Sequence, residues 1–229
     1  FPIGRQTEGG YLVLCTRQGV IKKTPLSDFS NIRKGGLIAQ NLREGDELIS
    51  VALSAGDDEF IIGTRDGMSI RFSEQDVRSM GRNASGVRAI KLSEGDCVVD
   101  MSMVKPGSCV IAITENGMGK RTEEDAYRVQ GRAGKGIIAM NITEKTGKLV
   151  CLKVSEGNED GAVIRVPVDT ISVISRNTQG VRLMKIDEGH RVASVALAPH
   201  NDDEPQKGGE ESDGEISNAN ADSGKTAPS

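Results

Sequence analysis

Apolar residues in this chain gather in short unbroken runs: YLVLCT from position 11, EFIIGT from 59, CVVDMSMV from 97, VIAIT from 110 and KLVCLKV from 148. Such runs, rich in β-branched residues and without a long 3.6-residue stripe, predict strands. Short helical segments are expected around SEQDV and EEDAY. Asp66-Gly67 and Asn116-Gly117 each separate two runs, and Asp-Gly and Asn-Gly are the strongest short-range signals for a tight hairpin.

The pattern repeats. GLIAQNLREGD, GVRAIKLSEGD, GIIAMNITEKT and GVRLMKIDEGH start at Gly36, Gly86, Gly136 and Gly180, at spacings of 50, 50 and 44. A hairpin glycine precedes each, at Gly19, Gly67, Gly117 and Gly161, by 17, 19, 19 and 19 residues. Four short strands in about 50 residues, repeated, predict an all-β fold of propeller blades rather than a solenoid. The blades are expected at 11–57, 58–107, 108–157 and 158–198, with 1–10 closing a preceding blade. The last is shortened, because no counterpart of VIAIT stands between LVCLKVSEG and NEDGAVIRV.

Composition narrows the classes. Apolar content is 36% with no Trp and no 18-residue apolar run, which gives no sign of a membrane span. The chain starts Phe1-Pro2-Ile3, without a signal peptide, and reads as the interior of a longer one. Cys15, Cys97, Cys109 and Cys151 lie in strand-like settings outside any C-x₂-C pair, as expected of reduced cysteines in a cytosolic protein. With only His190 and His200 beside them, no metal site is expected. The net charge of −4 averages two regions: residues 201–229 hold eight acids and two lysines, whereas 1–200 hold 27 Lys/Arg against 25 Asp/Glu. Segment 199–229 is too polar to offset its ordering entropy and is expected to be a disordered acidic tail, solubilising or regulatory.

The candidate chemistry lies in cations phased with the repeat. Four residues past each hairpin glycine stand Lys23, Arg71, Arg121 and Arg165, with Lys22 and Lys120 one residue earlier in two copies. Each loop before the second landmark carries Arg33 (followed by Lys34), Arg82, Arg132 or Arg176, and two copies add Arg88 with Lys91 and Arg182 with Lys185. A charge at one phase of a repeat occupies one place on every blade, so these residues are expected to form a curved cationic rim. Glu44, Glu94, Glu144 and Glu188 recur at a different edge. With four Phe, two Tyr and no recognition helix, neither base stacking nor major-groove readout is supported. Phosphate neutralisation on a bent duplex fits. In RVQGRAGKG the loop Gln130, Gly131, Arg132, Ala133, Gly134, Lys135, Gly136 would let backbone N–H groups approach a phosphate, with Arg132 and Lys135 pointing outward. It is not a P-loop, because Ile137 stands where Lys-Ser/Thr is required.

Over residues 1–198, NIRKGGLIAQNLREGDELISV, RVQGRAGKG and RNTQGVRLM resemble the C-terminal domain of bacterial DNA gyrase A. That family's box, Gln-Arg-Arg-Gly-Gly-Arg/Lys-Gly, is matched by Gln130, Arg132, Gly134, Lys135 and Gly136, while Gly131 and Ala133 depart from it; looser versions fall at 30–36, 80–86 and 174–180. The resemblance implies a β-pinwheel, a disc of strand-exchanging blades, here the last four of a usual six. It implies wrapping of duplex DNA for ATP-driven negative supercoiling by a bacterial, cytoplasmic enzyme. The partners would be the upstream breakage-reunion domain and gyrase B in an A2B2 holoenzyme. No cofactor is expected in this segment; ATP and Mg2+ would serve the holoenzyme, and the cleaving tyrosine would lie upstream. The alternatives are the equivalent topoisomerase IV domain and a protein-binding propeller. A stand-alone enzyme finds no nucleophile–His set or paired acids.

Overall fold

Three four-stranded antiparallel sheets and one of three strands make up the computed structural model, which describes residues 9–31, 35–155, 159–161, 166–187 and 189–199. Arg33, Lys34, Arg165, Glu188, the first eight residues and the tail from 200 onward lie outside the described residues. The first sheet runs from inner strand Leu48–Ser54 through Tyr11–Thr16 and Val20–Pro25 to outer strand Val87–Arg88. The second runs Val98–Val104, Glu59–Thr64, Met68–Ser73, Ile137–Ile138, and the third Leu149–Ser155, Cys109–Thr114, Met118–Glu123, Val181–Arg182. Each of these three outer strands thus comes from the following repeat, and adjacent blades share backbone. The fourth sheet, among the described residues, holds Leu197–Pro199, Glu159–Gly161 and Val166–Pro167. Among the described residues the helical segments are single 3-10 turns, Leu26–Phe29, Glu74–Asp76, Glu124–Ala126 and Val168–Thr170.

The unbroken apolar runs reflect burial on both faces. Phe60 and Ile62 pack toward Val13, Cys15 and Ile21 of the first blade, whereas Ile61 between them packs toward Val110, Ala112 and Leu152 of the third. Inner strands meet near the axis, where Ser50 Oγ donates to Met101 O at 3.0 Å and Ser102 Oγ to Leu152 O at 3.4 Å. Cys15 and Cys151 are buried, Cys97 and Cys109 half-buried, and all four are free thiols; burial pushes the Cys151 thiol up to about 12.

The repeating glycines are the seams. At Gly67, φ is +82 and an added Cβ would stand 2.3 Å from Met140 O; at Gly136, φ is +78 and the Cβ would stand 2.2 Å from Ser69 O. Only glycine permits both the left-handed backbone and the approach of the next repeat's segment.

A second seam lies on the cation four residues past the hairpin glycine. Lys23, Arg71 and Arg121 form single parallel bridges to Ser79, Val129 and Val173 of the next repeat. Their carbonyls accept from Met80, Gln130 and Ile174 N–H, each at 2.8 Å. The side chains cross the same junction. Lys23 Nζ lies 3.4 Å from Glu74 Oε1, and the Glu74 carboxylate also accepts from Ser54 Oγ at 2.5 Å and Asp58 N–H at 3.1 Å. Arg71 bridges Glu59 at 2.6 Å and Glu124 at 2.5 Å. At the third junction Val168 replaces the acid, and Arg121 donates instead to Ile171 O at 2.8 Å and Asp169 O at 2.9 Å.

Removing one partner of a buried pair strands the other charge, at a cost of about 3–5 kcal/mol. Glu74→Gln and Arg71→Met should therefore each lower the unfolding free energy by about 3 kcal/mol in urea titrations. Arg88→Met, on an exposed side chain, should change it by less than about 0.5 kcal/mol.

Candidate nucleic-acid interface

The phased cations divide into two groups. The expectation of a rim at the hairpin phase is corrected for Lys22, Lys23, Lys120, Arg71 and Arg121. Lys22 and Lys120 are 0% exposed and Lys23 6%, while the Arg71 side chain is 12% exposed. They sit in strands whose two faces are both covered, so their positive ends turn into the junction with the next blade instead of to solvent. Lys23 also lies 4.8 Å over the Tyr11 ring.

Lys22 Nζ donates to Ala39 O at 2.6 Å and to Arg82 O. Lys120 Nζ donates to Ser175 O at 3.0 Å, to Thr178 O at 3.3 Å and Thr178 Oγ1 at 3.2 Å, and to Arg176 O. Burial, then the nearby Arg176 guanidinium, lowers the Lys120 ammonium from 10.5 to about 8; burial also lowers Lys22.

The loop arginines are half-buried ties. The outward direction expected of Arg132 is corrected: it donates from Nε to Asp76 O at 2.8 Å and from Nη1 to Arg88 O at 3.0 Å, in the preceding repeat. Arg176 donates to Ile138 O at 2.7 Å and lies 5.8 Å from the Tyr127 ring centre. Arg82 is likewise half-buried. Lys135 is exposed, as is Gly131, and Gly134 approaches Ile70. Ala133, where the box has glycine, takes φ +68 and is the sole non-glycine residue with positive φ among those described; its N–H is turned inward onto Ala89 O at 2.6 Å. Gln130 donates its N–H to Arg71 O.

Cations that face solvent lie on the outer strands and the bends beside them. Arg88 and Arg182 are exposed on the outermost strand of the first and third sheets, followed by the equally exposed Lys91 and Lys185. None of the four makes an ion pair among the described residues. Arg78 and Arg128 add two exposed guanidiniums eight residues before Gly86 and Gly136. Sequence reasoning does not single out Arg78; its equal offset with Arg128 is the available signal. Glu44, Glu94 and Glu144 lie at the bends that follow the outer-strand segments, and all three are exposed. Among the described residues no group of three His, Cys, Asp or Glu could hold a metal ion, and no helix is long and apolar enough to cross a membrane.

The family model for the DNA gyrase C-terminal domain, a β-propeller, matches residues 10–55, 58–105, 110–154 and 157–199. The chain is 63% identical over 210 residues to the DNA gyrase A protein of Halalkalibacterium halodurans, covering 89% of this chain and 25% of that protein. It is 46% identical over 211 residues to the corresponding protein of Clostridium acetobutylicum, covering 89% and 25%. The chain thus spans about a quarter of the length of these relatives. Among solved structures, a DNA topoisomerase IV C-terminal domain superposes with TM-score 0.81 at 24% identity, covering 87% of this chain and 65% of that one. A DNA gyrase A C-terminal domain gives 0.75 at 24%, covering 86% and 73%.

A left-handed alanine costs roughly 1–2 kcal/mol. Ala133→Gly should raise the unfolding free energy by about 1 kcal/mol, whereas Gly136→Ala should lower it by more than about 2 kcal/mol, since strain and collision with Ser69 O combine. Because the Lys120 value is depressed on folding, the unfolded chain binds more protons between about 8 and 10.5, and stability gains with pH there. The stability advantage of the chain over Lys120→Met should widen from about pH 8 to about pH 10 in urea titrations; an advantage that shrinks contradicts the assignment.

Proposed function

Because the chain belongs to the DNA gyrase C-terminal domain β-propeller family, we propose that it binds duplex DNA along the outer edge of its sheets. The observation that supports this reading is the recurrence of exposed Arg88 and Lys91 as Arg182 and Lys185, on and just past outermost strands two blades apart. Cations on an edge, without ion-pair partners among the described residues and with few aromatic residues in the chain, suit phosphates and carry little sequence preference. Lys135, Arg78 and Arg128 extend the track, and Arg82, Arg132 and Arg176 brace the loops behind it. A duplex contacting successive blades must bend, so the domain acts by wrapping.

In the full-length protein this wrap would present a neighbouring segment of the same DNA to the breakage-reunion domain. With gyrase B, in an A2B2 assembly using ATP and Mg2+, strand passage would then introduce negative supercoils in the bacterial cytoplasm. The segment supplies DNA geometry and no catalytic group to that topoisomerase reaction. The likeness to a topoisomerase IV domain is one of fold, whereas the relatives at 46% and 63% identity are gyrase A proteins, which favours the gyrase reading.

Duplex affinity should fall steeply between about 50 and 200 mM salt, with a log–log slope of about −0.9 per phosphate neutralised. Replacing Arg88, Lys91, Arg182 and Lys185 together by Ala should flatten that slope by about 3–4 and weaken binding on all sequences alike. Affinity indifferent to salt, or an unchanged slope in the quadruple variant, overturns the reading.

A further inference from the structure

The loops before the outer strands are built in two ways, and the residue beneath each decides which. Position three past the hairpin glycine is Lys22 in the first copy, Ile70 in the second and Lys120 in the third, all 0% exposed. Each faces the loop of the next repeat: Lys22 the loop at 82–86, Ile70 the loop at 132–136, Lys120 the loop at 176–180.

An ammonium offers three donors and no acceptor, so it draws carbonyls toward itself. Lys22 holds Arg82 O and Lys120 holds Arg176 O, with Ser175 O and Thr178 O alongside. Every described peptide bond is trans, and in a planar trans peptide the C=O and N–H point in opposite directions. The N–H groups of Asn83 and Asn177 therefore point away from the lysines, toward the exposed side of their loops. Among the described residues no backbone carbonyl accepts from either. The same reasoning turns the Arg176 and Gln179 N–H groups outward.

The second copy is the internal control. With Ile70 beneath, nothing draws the carbonyl of Arg132 inward, and the peptide stands the other way round. The Ala133 N–H donates inward to Ala89 O at 2.6 Å, and Ala133 is held at φ +68. The loop that best matches the family box is thus the one that turns this N–H away from solvent.

We propose that Lys22 and Lys120 are buried positioning residues for phosphate, turning the backbone N–H of Asn83 in the first loop, and those of Arg176, Asn177 and Gln179 in the second, toward the DNA backbone at two stations separated by two blades. An outward N–H is a donor aimed at whatever lies on the exposed side, and phosphate oxygens accept from backbone N–H groups; Arg88 with Lys91, and Arg182 with Lys185, follow those loops on the chain. The proposal rests on the DNA-binding reading and assigns particular loops to it.

The test is backbone amide NMR on the 229-residue chain, free and titrated with a short duplex at low salt. In the free chain the Asn83 and Asn177 amides should exchange with solvent at least about 100-fold faster than that of Ala133, whose N–H is held in a hydrogen bond; protection of Asn177 equal to that of Ala133 overturns the proposal without any variant. On adding duplex, both Asn amides should shift. In Lys120→Met the Asn177 shift should fall several-fold while Asn83 keeps its own, and Lys22→Met should give the reverse, so either variant suffices if the other does not fold. An Asn177 response that survives Lys120→Met, or an Asn83 response that survives Lys22→Met, overturns the positioning role and leaves DNA binding standing. An absence of any duplex-induced shift on the outer strands and loops of the unaltered chain overturns the DNA-binding reading itself.

Discussion

The blade-to-blade joint made by the residue four past the hairpin glycine is the constraint on which the rest depends. At that one position the backbone enters a parallel bridge with the next repeat, and the side chain reaches the 3-10 turn beside that bridge. Lys23, Arg71 and Arg121 thereby fix both the spacing and the rotation of neighbouring sheets. The strand exchange adds a second link, because each of the three larger sheets is completed at its outer edge by a strand of the following repeat. A blade in this arrangement has no independent edge, and the angle between blades is set by short polar contacts as well as by core packing.

This joint determines what the remaining cations can do. Charges buried at the junctions are spoken for by carboxylates and carbonyls; charges one or two positions into the outer strands are not. Weakening of the joint along the chain follows the same chemistry. Glu74 is fully buried against Lys23, Glu124 pairs with Arg71, and the third junction substitutes Val168, so Arg121 relies on carbonyls. Beyond it lies an apolar cavity of about 340 Å³ lined by Ile111, Cys151, Val168, Ile171 and Leu183, next to the sheet whose repeat lacks a counterpart of VIAIT.

Much of this is legible in the chain itself. The recurring glycines announce seams because a left-handed backbone pressed against a carbonyl admits nothing else, and the unbroken apolar runs announce strands. The segments SEQDV and EEDAY do carry helical turns. The direction of the hairpin-phase cations is not legible. Periodicity says that Lys23, Arg71 and Arg121 occupy equivalent places, and a junction is as periodic as a rim. The distinguishing signals are weaker: acids at Glu74 and Glu124, 51 and 53 residues downstream of their partners, and lysines placed directly beside Ile21 within a strand. The inward turn of Ala133 cannot be read from a motif that concerns side chains, because it depends on Ile70, 63 residues earlier in the chain.

Amine labelling of the lysines with and without duplex DNA tests the division of cations most directly. Lys91, Lys135 and Lys185 should be acylated quickly in the free chain and protected when duplex is added at low salt, whereas Lys22, Lys23 and Lys120 should stay unmodified in both states. Rapid labelling of Lys22 or Lys120 in the folded chain, or labelling of Lys91 and Lys185 that duplex leaves unchanged, would contradict the account.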